Sequence, residues 1–212
     1  MDWMAILDSR LLQAFVAGLF LGLGWVVNGW QNRRADSRRR KERLRDAHRA
    51  IYSEIAAYLE NLGSEDALQD YRNSIIERMT TDPGYVPLIP RERNDTIFRA
   101  LVEEIYILPR VTIDPIVSYY SQLFAIETLI EDMRGKRFPG LEASRRIQMY
   151  SDYIDLKIQA FHDGHYALRM IAAFASGGRE GAKAEESRIA HELSAMPNVS
   201  NRGGDPSDRS QG

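Results

Sequence analysis

The chain of 212 residues contains no cysteine. That excludes a disulfide framework, a thiolate metal site and a cysteine nucleophile. Lysine is scarce: arginine supplies 24 of the 28 basic residues, a bias that fits a GC-rich bacterial genome. There is no internal repeat and no alternating strand pattern, so the chain reads as all-α. A Gly-rich phosphate loop, a Gly-x-Ser-x-Gly elbow and a Glu-x-x-His pair are all missing. No recognised catalytic motif is therefore present, and no cofactor is expected.

The most telling absence is charge. Residues 11–32 hold no Asp, Glu, Lys or Arg. Roughly 20 apolar residues suffice for a helix to span a hydrocarbon core, with every backbone group bonded internally. Gln13 and Asn28 fall near the two ends, and Trp25 and Trp30 suit an interface. A cleaved signal peptide needs a positive start; residues 1–10 carry two Asp and one Arg. The spacing thus predicts one transmembrane helix over 11–32, preceded by a short extracytoplasmic segment, 1–10.

The next stretch is strongly basic. Residues 33–49 contain nine Arg or Lys against three acidic residues, a net +6. With −1 over residues 1–10, the overall −2 leaves −7 for residues 50–212. The positive-inside rule places the basic flank in the cytoplasm, giving an N-out/C-in protein of the bacterial inner membrane. Residues 33–49 form the basic juxtamembrane helix. Within it Arg33, Arg34, Arg38, Arg39, Arg40 and Lys41 are expected to meet anionic headgroups, at about 1 kcal/mol each. A nucleic-acid partner is not expected: no aromatics interleave with the basic run, no binding module is present, and the remainder is acidic. Inside the span, Ala14, Gly18 and Gly22 make a small-xxx-small ladder, a face for a homodimer.

No Gly or Pro interrupts residues 31–62, so the helix is expected to continue. Ile51, Ile55, Tyr58, Leu59 and Leu62 mark its apolar stripe. Gly63 and Ser64 read as a stop and a new N-cap. A second helix places Leu68, Tyr71, Ile75 and Met79 on one face. Three prolines in residues 83–90 make a loop, expected to pack on the bundle through Tyr85, Val86, Leu88 and Ile89. A third helix is predicted over 94–108. A fourth begins at an Asp114 cap with Pro115 in its first turn, and its seam is Ile116, Tyr119, Leu123, Ile126, Ile130 and Met133. A fifth runs over 141–176 with Ile147, Ile154, Phe161 and Leu168 seven apart, and with Tyr150, Ile158 and Ile171 thickening the stripe. Gly164 reads there as a weak point. Residues 50–176 are thus a cytoplasmic antiparallel bundle of about four to five helices. From Gly177 a flexible polar tail, 177–212, is expected, with a short helix over 183–195 as the one element it could hold.

Two clusters invite functional readings. Tyr85, Arg91, Arg93, Tyr119 and Tyr120 are the residue types that dominate protein interfaces, so they are the partner-binding candidates. His162 and His165 lie three apart on one helix face and are candidate metal ligands, with Glu127 or Glu131 to complete the shell. The expected function is a membrane-tethered, non-enzymatic adaptor or scaffold for a protein partner. The competing readings are a metal-dependent hydrolase around His162 and His165, and a phage-type membrane factor that assembles with itself.

Overall fold

The structure, a computed structural model, describes the backbone of residues 3–195 and, within that range, every side chain except those of residues 3–17, 21, 22, 24, 26 and 27. Among the described residues the fold is all-α, without strands. The helices are α1 (Trp3–Leu62), α2 (Glu65–Thr81), α3 (Thr96–Leu101), α4 (Arg110–Arg134) and α5 (Ala143–Ala195). The 3-10 segments Val102–Ile107 and Phe138–Gly140 precede and follow α4. The chain divides into two units, Met1–Ala47 and His48–Gly212.

The first unit is the N-terminal stretch of α1. Among the described residues no helix is long and apolar enough to cross a membrane. The side chains of much of the expected span 11–32 lie outside the described ones, those of Ala14 and Gly22 among them. Residues 196–212 of the expected tail are outside the described residues too.

The second unit is a helical bundle with α5 as its spine. α4 packs antiparallel to α5: Ser118 lies against Asp163 (3.3 Å), and Asp114, one turn earlier on α4, lies beside Tyr166, one turn later on α5. α2 is antiparallel to α5 as well, pairing Glu65 with His162 (3.0 Å) and Arg72 with Asp155 (2.5 Å). The bundle portion of α1 takes the same direction as α4, since His48 meets Thr112 and Glu54 meets Tyr120. The break between α1 and α2 is set by Gly63 (φ +78°), which adopts a left-handed conformation. Ser64 then accepts from the backbone N–H of Ala67, and Glu65, Asp66 and Arg78 complement the dipole of α2. The seam expected on α4 is the observed core: all six of its residues are buried.

Four expectations need correction. The third helix is shorter: α3 ends at Leu101 and residues 102–107 tighten into a 3-10 segment. α4 starts at Arg110, not at an Asp114 cap. The backbone N–H groups of Thr112 and Ile113 both donate to Pro109 O, so the first turn closes before Pro115 is reached. On α5 the buried seam is not the sevenfold series. Of that series only Ile154 is buried; Tyr150 and Ile171, expected on the stripe, are buried with it, and Arg146, Ala160, Gly164 and Ala167 complete the seam. Small residues win because they admit a close neighbour. A Cβ built on Gly164 would lie 2.8 Å from Leu59 Cδ2 and 3.1 Å from Tyr119 Cε2. Gly164 is a contact point, not a weakness.

The fourth correction concerns the tail. The short helix that it could hold over 183–195 is present and longer: the chain is helical again beyond Gly178, through Ala195. Gly178 (φ +61°, ψ −147°) turns it back in a conformation open essentially to glycine alone. The return arm, residues 179–195, runs antiparallel along α5: Arg169 bonds Glu185 (2.6 Å) and Glu192 (2.8 Å). In an unbroken helix residues 23 apart would lie about 34 Å from each other. The arm docks through small residues. Ala182 is fully buried, and a Cβ on Gly181 would meet Ala173 O at 2.6 Å.

Candidate functional site

The proline loop, residues 82–95, is the most elaborately held segment. Two arginines reach its carbonyls. Arg146, buried on α5, donates to Tyr85 O (3.1 Å) and to Pro83 O; Arg134, at the end of α4, donates to Ile89 O (2.5 Å). A loop cannot bond its own carbonyls as a helix does, so buried donors must come from elsewhere. Asp82 supplies the turn, accepting from the N–H of Gly84 at 2.9 Å.

Further along, Glu92 anchors the loop to two helices. It accepts from Tyr58 OH (2.8 Å) on α1, and from Tyr153 OH (2.8 Å) and Lys157 Nζ (2.7 Å) on α5. Burial, and after it the Glu92 carboxylate, push both phenols well above their ordinary range. They remain donors. Glu54 of α1 closes the other end. It accepts from the N–H groups of Ile97 (2.6 Å) and Phe98 (3.1 Å) and from Tyr120 OH (2.6 Å). The N-terminus of α3 is thereby capped by a side chain from a different helix. None of Glu54, Glu92, Arg134 and Arg146 stood out in the sequence. Arg146 alone left a trace: it precedes Tyr150 by four, on the buried stripe.

This frame presents rather than hides part of the loop. Pro87 and Ile89 point inward, and Leu88 between them is 85% exposed. Tyr85 is half-buried, with Arg78 over its ring at 4.5 Å. Arg91 and Arg93 are exposed and line a groove of about 630 Å³ with Glu131 and Arg134. Tyr119 and Tyr120 do not belong to this surface. Both are fully buried, and Tyr120 stacks on Phe98 with centroids 3.9 Å apart. They are core residues, inaccessible to a partner, because the α4 seam that carries them faces inward.

His162 and His165 are both exposed. His162 pairs with Glu65, and His165 meets the ring of Phe161 edge-on at 4.5 Å. Partial burial, then the neighbouring His162, hold the His165 pKa below its ordinary value. Among the described residues no group of three or more His, Asp or Glu could hold a metal. Glu127 is instead engaged with Arg99 (3.0 Å), and Glu131 faces the loop groove.

In the N-terminal unit, among the described residues nothing lies within 4 Å of a Cβ built on Gly18, and Leu19, Phe20, Leu23, Trp25 and Trp30 are exposed, Trp25 at 81%. Arg34 sits over the Trp30 ring at 5.1 Å. All six collar residues, Arg33, Arg34, Arg38, Arg39, Arg40 and Lys41, are exposed. No protein family, no curated protein and no solved structure matches the chain.

Proposed function

We propose that this is a single-pass membrane-anchored adaptor, without an enzymatic role of its own, that presents its helical bundle to a protein partner at the cytoplasmic membrane face. The observation that carries the reading is the exposure of Leu19, Phe20, Leu23, Trp25 and Trp30 on one helix. So large an uncovered apolar surface calls for a nonaqueous neighbour. Its uncharged sequence and basic flank make a bilayer the fitting one, with residues 1–10 outside and the collar on anionic headgroups. Tethering raises the effective concentration of any partner confined to the same surface. The partner-facing surface is the proline loop: Leu88 is an apolar knob on a backbone held by Arg134 and Arg146, flanked by Arg91 and Arg93. An ordered loop loses little further entropy on binding.

The test combines fractionation with crosslinking in cells. The full chain should stay in alkali-washed membranes, and a chain lacking residues 1–32 should not. Crosslinked capture should enrich one protein, and Leu88→Asp should abolish it while leaving the helical content unchanged. A full chain recovered in the soluble fraction would overturn the anchor; capture indifferent to Leu88→Asp would overturn the loop.

A further inference from the structure

The return arm of α5 does more than cover the helix it lies on. Where it leaves Gly178 it faces the start of α4, and the two enclose a cleft of about 840 Å³ on the bundle. One wall is apolar, made by Leu108, Pro109, Val111 and Pro115. Cations reach the cleft from both sides, Arg110 from α4 and Arg179 and Lys183 from the arm. Among the described residues neither Arg110 nor Arg179 forms an ion pair. Among the described residues Lys183 pairs with Glu180 alone, at 3.7 Å and exposed.

Carboxylates line the cleft as well. Asp163 accepts from Ser118 OH (3.3 Å) and from Gln159 (3.0 Å). Asp114 and Glu186 both act on the Tyr166 phenol, which burial foremost and then these two hold above its ordinary pKa. The lining thus holds three carboxylates and three cations, and the guanidiniums of Arg110 and Arg179 are the cations that form no ion pair among the described residues. A guanidinium is a planar fork that matches an oxyanion with two parallel bonds. Two of them with an ammonium beside them suit a dianion better than a single carboxylate.

We propose that this cleft binds an organic phosphate: Arg110, Arg179 and Lys183 hold the phosphoryl oxygens, and the apolar wall takes the attached carbon chain. The same chemistry is offered by a soluble phosphate monoester and by a phosphatidic acid headgroup. The site goes beyond the adaptor reading and does not depend on it.

The full chain in neutral detergent micelles, titrated calorimetrically, tests this. Butyl phosphate should bind at one saturable site. Butanol should not bind, and inorganic phosphate should bind more weakly because it leaves the wall empty. Arg110→Gln with Arg179→Gln should weaken butyl phosphate by roughly tenfold or more, the scale of charge-assisted contacts. Asp114→Asn removes a carboxylate from the cleft and should tighten it severalfold, which keeps the test decisive if the double variant misfolds. Substituting Arg38, Arg39 and Arg40 by Gln should change nothing, since the collar is a separate cationic surface. Phosphatidic acid carried in the micelles is the second arm: binding there with none of butyl phosphate names the lipid as the source. Absence of binding by both probes overturns the proposal. So does affinity unmoved by the cleft variants, or lost in the collar variant.

Discussion

Leu59 and Tyr119 can reach the backbone of α5 only because residue 164 has no side chain. In a helix exposed to water, glycine costs about 1 kcal/mol relative to alanine. Here that loss is set against the packing of two large residues at the centre of the bundle. Gly164→Leu should therefore destabilise despite its better helix propensity, by about 2–3 kcal/mol or more, as overpacking does; urea denaturation followed by circular dichroism measures it. A variant as stable as the original would mean that α1 and α4 do not converge there. Arg146 makes a related point. Its guanidinium holds two loop carbonyls in a site otherwise closed to water, so it is a structural donor and not a surface charge that strayed inward.

At the scale of elements, how much was legible depended on what buries each helix. The α4 seam uses large residues at steps of three and four, and all of it is core. The Gly63–Ser64 boundary was equally plain, because a left-handed stop and a hydroxyl cap have residue types of their own. α5 was legible only in part: Tyr150, Ile154 and Ile171 lie on the expected stripe, but the rest of its buried face includes Ala160, Gly164 and Ala167, which a hydrophobic pattern passes over. The helix of the return arm was legible over 183–195, but its docking was not, for the same reason: Gly181 and Ala182 carry no large apolar side chain. Of the candidate surface, Arg91 and Arg93 were legible as exposed loop arginines. Tyr119 was legible as part of the α4 seam, which spoke against its place among the partner-binding candidates; Tyr120 was not, since the interface preference for tyrosine says nothing about which way a tyrosine faces. Gly178 gives the arm its own test. A Cβ at φ +61°, ψ −147° is strained by about 1–3 kcal/mol. Gly178→Ala should thus release the arm: amide exchange should quicken over residues 182–190 and stay slow over the α4 seam. Protection unchanged in both would show that the turn does not need glycine.

For the molecule as a whole, His48 ties stability to pH. Its ring is buried against Phe174 (centroids 5.4 Å apart) and bonds Thr112 Oγ1 at 2.9 Å. Thr112 gives its one proton to Pro109 O, so the imidazole is the donor, neutral and protonated at Nε2. Burial lowers its pKa from 6.5 to about 4. Above pH 6.5 the folded and unfolded chains are both neutral there, and the bundle has its full stability. Between pH 6.5 and about 4 the unfolded chain takes up a proton that the folded one refuses, so stability falls with pH. The loss approaches about 3 kcal/mol below that window. His48→Gln, which keeps a donor but cannot titrate, should flatten this part of the profile in urea titrations at successive pH values. An identical slope in the variant would assign the acid sensitivity to the carboxylates.

The return arm also decides where the molecule can be cut. Shortening the chain at the double glycine, an inviting boundary on sequence grounds, would strip the cover from one side of α5 and leave the Arg169 guanidinium without its carboxylates. It would expose Ala173 and its neighbours to solvent and to each other in concentrated solution. A shortened protein meant for crystals or for binding assays should keep residue 195; one that ends at 177 should be expected to self-associate and to lose the cleft entirely.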